Sequence, residues 1–143
     1  MEQRERDELL NAVKEGVADV SSIVGVLERD LTDCATALRI EHTETVFRKL
    51  AEGIQNLEHL MDFLGQLREG LGHLSRSESR SFGAFPDSAG QVQPLFRDML
   101  SAFEAKDWIT VADLIQYELK PVLSGIEADL ARVKEELFAK PDA

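Results

Sequence analysis

Leu10, Val13, Val17, Val20, Val24, Leu27, Leu31, Cys34 and Leu38 follow one another at alternating steps of three and four residues. A helix turns once every 3.6 residues or so, and these steps put all the side chains on one face. A repeat held this long is the rhythm of helices that pack along their length. A second run, Phe47, Leu50, Ile54, Leu57, Met61 and Leu64, is widened by a shifted one through Leu60, Leu67, Leu71 and Leu74. Val92, Phe96, Met99 and Phe103 make a shorter third face. Val111, Ile115, Leu119, Val122, Ile126, Leu130, Val133 and Leu137 make a fourth. The spacing predicts helices over about 4–39, 43–74, 91–105 and 108–138. The fold class expected is all-α: an antiparallel, up-down-up-down four-helix bundle of two helical hairpins, with a short third helix.

Local signals punctuate that plan. Thr43 and Asp107 are candidate N-caps, because their side-chain oxygens can accept from the free N–H groups of a first turn. Gly16 and Gly25 fall inside the first helix, where each costs about 1 kcal/mol relative to Ala. They read as flaws tolerated by packing or as points of close approach for a neighbouring helix or a ligand. Pro121 interrupts the fourth helix, lacks an N–H and clashes with the carbonyl of Tyr117, so a kink is expected there. Residues 75–90 hold five serines, two glycines and one proline and carry no net charge. They read as a long crossover linker between the hairpins.

With 143 residues the chain is expected to form one domain, residues 1–143, with a core that needs no staples. A net charge of −11 disfavours nucleic acid, whose recognition rests on clustered Lys and Arg. No apolar run approaches the ~20 residues that cross a bilayer, so no membrane partner is expected. The N-terminus lacks the apolar stretch of a secretory signal, and the single cysteine, Cys34, cannot form an internal disulfide. The expected compartment is the cytoplasm.

The motifs of common chemistries are missing from the sequence. A carboxylate-bridged di-metal bundle needs Glu-x-x-His pairs, and no Glu is followed three residues later by His. His42 falls in a turn, and His59 and His73 lie on the polar side of the second helix. There is no Gly-rich phosphate loop, no Gly-x-Ser-x-Gly elbow and no Cys-x-x-Cys. Cys34 sits in an apolar stripe without a helical His neighbour, and reads as a small hydrophobe rather than a nucleophile. No catalytic, cofactor-binding or metal-binding residue is assigned, and no cofactor is expected. Ser75, Ser77, Ser79 and Ser81 alternate with charged residues, as in a flexible linker or a phosphorylation target. Trp108, at the start of the fourth helix, reads as a cap on the end of the core or as an exposed recognition residue.

Unequal helix lengths point to a site. The third helix spans about 22 Å against 45–55 Å for the others, which leaves one pole short of a helix. The expected trough is lined by Leu10, Val13 and Val17, by Leu64, Leu67 and Leu71, and by Leu130, Val133 and Leu137. Exposed apolar surface of that size marks a contact surface. Phe82 and Phe85, on the linker, could plug the trough of their own chain, contact a second copy, or occlude a partner's site. Phe82, Phe85, Leu67, Leu71, Leu130 and Val133 are therefore the candidate partner-binding residues.

The stretches VFRKLAEGIQNLEHLMDFL (46–64) and AKDWITVADLIQYELKPVL (105–123) resemble an uncharacterised bacterial all-helical family. That family pairs a Gly-containing, Leu-rich helix with a later ADLL-x-YEL-x-P helix; the resemblance implies a bundle and no activity. Size, acidity and long helices are more loosely similar to small export chaperones of flagellar and type III systems. The functional expectation is a non-enzymatic interaction module, adaptor or chaperone-like, that binds an amphipathic helix or protein tail in a groove. The alternatives are a structural homodimer without a ligand and, further off, a metal-binding or enzymatic bundle.

Overall fold

A computed structural model of the chain describes residues 2–78 and 88–138. Phe82 and Phe85, and with them the expected plug, lie outside the described residues. Every element described is helical: α1 (Gln3–Leu38), α2 (Glu44–Glu78), a 3₁₀ turn (Ser88–Gln91), α3 (Val92–Glu104), α4 (Trp108–Asp113), a π-helical turn (Leu114–Leu119) and α5 (Lys120–Phe138). The last three follow without a break and form the fourth rod. No helix among the described residues is long and apolar enough to cross a membrane.

Two boundaries differ from the sequence expectation. Helix α2 continues past Leu74 through Ser75–Glu78, and Ser88–Gln91 is a 3₁₀ turn, so both ends of the stretch expected as a 75–90 loop are helical. Leu71 and Leu74 are buried and anchor the end of α2, and Arg76 in the last turn suits the negative end of the helix dipole. Gly25 does not break α1.

Capping explains where the rods start. Thr43 Oγ1 accepts from the N–H of Val46 at 3.3 Å, and Asp107 accepts from the N–H of Thr110 at 3.2 Å and from its hydroxyl at 2.6 Å. Between α3 and α4 the N–H of Asp107 donates to the Ala102 carbonyl and that of Lys106 to the Phe103 carbonyl. This is a Schellman closure, and Lys106 takes its left-handed position at φ 58°.

Pro121 shapes the fourth rod by way of a widened turn. Directly before it, the N–H of Lys120 donates to the carbonyl of Ile115, a five-residue step. The expected local disruption is thus a π-turn, which moves the preceding carbonyls from the α-helical positions the proline ring would strike.

Helix α1 lies against α2 and against α5, while α3 packs on α4 and the π-turn. Close pairs run in opposed order. On α2, Gly70 sits by Val13, Leu67 by Gly16 and Gly53 by Leu31. On the fourth rod, Phe138 meets Lys14, Ser124 meets Glu28 and Asp113 meets Arg39. The stripes read from the sequence form one continuous core, which contains no polar or charged side chain among the described residues. At the pole where the two turns meet, Trp108 stacks at 4.6 Å from Phe47 and edge-on at 5.4 Å from Phe103. Trp108 therefore covers the end of the core. His42 joins this cluster and donates from Nε2 to the Leu38 carbonyl at 2.9 Å.

Candidate interaction groove

The residues expected to line a trough are closed into the core. Leu71, Leu130 and Val133 are no more than 4% exposed, and Val17, Leu64 and Leu137 are buried with them; Leu10 is partly buried. These side chains already make their apolar contacts within the fold and offer a partner almost no free area. Leu67 is also buried, but it borders an open groove between α1 and α2.

The groove arises from a second register on each helix. One step off the core stripe, α1 places Ala12, Gly16, Asp19, Ile23, Val26 and Asp30 along a single line. Helix α2 answers with Glu52, Asn56, His59, Phe63, Gln66 and Gly70, again at steps of three and four. Small residues at 12, 16 and 70 lower the walls, and the core residues Val13, Val20 and Leu67 form the floor. The groove is three depressions in series of about 740, 380 and 780 Å³. The first and second share Ile23 and Phe63; the second and third share Asp30 and Asn56.

Its two halves differ in chemistry. The half around Ile23 and Phe63 is the more apolar, and Glu15, Asp19 and Gln66 also line it. Phe63 is 45% exposed and Val26 48%, large apolar side chains left half in water. The half near the α1–α2 turn is lined by Asp30, Asp33, Glu41 and Glu52, with Lys49 as its cation. Cys34 also faces this half, but it is buried. Burial raises its thiol pKa above the ordinary value, against the opposing pull of Lys49, so the thiolate is disfavoured.

No group of three or more His, Cys, Asp or Glu side chains among the described residues is arranged to hold a metal ion. Glu28 and Glu127 form an acidic pair across the α1–α5 seam by Gly25. Burial chiefly, and then the hydrogen bond with Glu28, raise the Glu127 pKa. At the aromatic pole Arg39 donates to Asp113 at 2.6 Å and to Gln116 Oε1 at 2.8 and 3.0 Å, which ties the end of α1 to the π-turn.

A family model described as a domain of unknown function, DUF8042, matches residues 28–129. The chain belongs to this family. The DUF8042 match takes in α2, α3, α4, the π-turn and the whole lining of the acidic half of the groove, and it includes both stretches on which the resemblance rested. Comparison with curated proteins and with solved structures found no match.

Sequence reasoning missed the groove because it followed the strongest stripe on each helix. The signal was present: Ile23, Val26 and Phe63 are apolar residues that fall off the core register.

Proposed function

We propose that this chain is a non-enzymatic protein-interaction module, an antiparallel four-helix bundle that seats an amphipathic helix of another protein in the α1–α2 groove. The observation that carries the reading is the half-exposed pair Phe63 and Val26 beside Ile23, in a groove with heptad-like walls. Helix-in-groove recognition asks for apolar anchors at i, i+3, i+4 and i+7 on the guest and a matching slot on the host. Covering the exposed half of Phe63 is worth about 1 kcal/mol, and similar increments along the slot add to it. An adaptor or chaperone-like role, in the cytoplasm, fits a module of this kind. The apolar interior, without buried polar side chains among the described residues, supports binding over chemistry in the core.

The test is affinity capture from the native cell by the parent chain and by a Phe63→Ser, Ile23→Ser double variant, with metal analysis of the same samples. The proposal expects a stoichiometric protein partner with the parent and its loss with the variant. Stoichiometric metal, or a partner held equally by both chains, would overturn it.

A further inference from the structure

The groove is asymmetric, and the asymmetry constrains what it can hold. Resting on the interaction reading above, we infer that its occupant is a cationic amphipathic helix seated in one direction, with apolar anchors over Ile23 and Phe63 and Lys or Arg over Asp30, Asp33 and Glu52. Three observations carry this. First, the half near the α1–α2 turn holds four carboxylates against one lysine, while the other half holds two, Glu15 and Asp19, and sets them around the larger apolar side chains Ile23 and Phe63. A guest with uniform polarity would leave either the carboxylates unpaired or the Phe63 ring wet. Charges screen one another beyond about 8 Å at physiological salt, so only cations carried within the groove can answer these carboxylates. Second, the chain carries a net charge of −11, which sets a second copy at a disadvantage on an acidic surface. Third, the α1 wall runs unbroken from Ala12 to Asp33, about 32 Å, the length of a helix of roughly 20 residues. Length, apolar anchoring and charge then agree on one kind of ligand.

The test is selection of displayed helical peptides, each about 20 residues long, against the full chain. Every library member carries an apolar stripe, and Lys, Glu, Gln and Ser are randomised elsewhere. The inference expects selected peptides to concentrate Lys at one end. Their affinity falls about tenfold or more in a D30K/D33K chain, and falls on raising salt. A photo-crosslinker at the Lys-rich end labels the segment around Glu52; one at the other end labels the segment around Phe63. Selected peptides that are neutral or acidic, or that crosslink in the reverse order, overturn the inference; if they still lose binding to Phe63→Ser, the groove reading survives. Failure to select any binder, or binding indifferent to both Phe63→Ser and Val26→Ser, overturns the inference and the groove reading together. Circular dichroism of each variant separates lost binding from lost fold, and the exposed Val26→Ser change serves if Phe63→Ser unfolds the chain.

Discussion

Single residues here act mainly through the room around their backbone. Gly25 has only Glu127 Oε1 near the place of a Cβ, at 4.0 Å, whereas a Cβ on Gly53 would lie 2.6 Å from Leu31 Cδ2. Leu31 is 1% exposed and has little space to retreat. Gly25→Ala should therefore stabilise the chain by about 1 kcal/mol through helix propensity alone. Gly53→Ala should destabilise it by about 1 kcal/mol, because overpacking of a tight core outweighs the same propensity gain. Urea unfolding of the two variants reads both signs, and equal stabilisation would show that Leu31 can move aside. Gly53 was not legible as the constrained glycine: its partner is twenty-two positions away, and only the α1–α2 register brings Leu31 over it. Lys106 has the same kind of history. Its left-handed φ of 58° is a position where a side chain costs about 1 kcal/mol, so Lys106→Gly should raise the melting temperature. No shift, or a fall, would mean that the Schellman closure gains something from the lysine.

At the scale of elements, the apolar stripes were legible and the joints between rods only partly so. Period and length showed where α1, α3 and the fourth rod run, since the burial of Val13 through Leu38 and Val111 through Leu137 follows the stripes. The caps Thr43 and Asp107 were readable because a capping side chain acts within three residues. The π-turn was not, because Pro121 announces a disruption and leaves its form to the packing around it. The open groove was also missed, since exposure depends on which flank a neighbouring rod covers. The pole of the fold allows a quantitative contrast. Trp108 packs against two rings, while Arg39 and Asp113 are partly solvated and pair at 2.6 Å. Trp108→Ala should cost about 2–3 kcal/mol, and Arg39→Ala less than about 1 kcal/mol, because ring burial outweighs a solvated ion pair. Chemical denaturation of the two variants decides; a larger loss for Arg39→Ala would move the weight of the joint to the Arg39–Gln116 network.

Over the whole molecule, acidity sets how stability responds to pH. Glu127 is held above the usual carboxylate range by burial and by Glu28, so the folded state favours its protonated form. Its contribution is present at low pH and is lost as pH rises through that raised value, which leaves a penalty near neutrality. Glu127→Gln should raise the urea midpoint near neutral pH, and its advantage over the parent should shrink as the pH is lowered. A difference that grows on acidification would reverse the sign assigned to the pair. The same acidity shapes the proposed site, where Asp30, Asp33 and Glu52 stand in the half of the groove nearer the α1–α2 turn.

The proposed docking site is the α1–α2 groove and not the closed core between the long helices. Methyl and aromatic NMR of the full chain, titrated with a selected helical peptide, separates the two. Docking in the groove should shift the methyls of Ile23 and Val26 and the ring of Phe63, with Leu130 and Val133 unmoved. Shifts concentrated at Leu130 and Val133, with Ile23, Val26 and Phe63 silent, would contradict it.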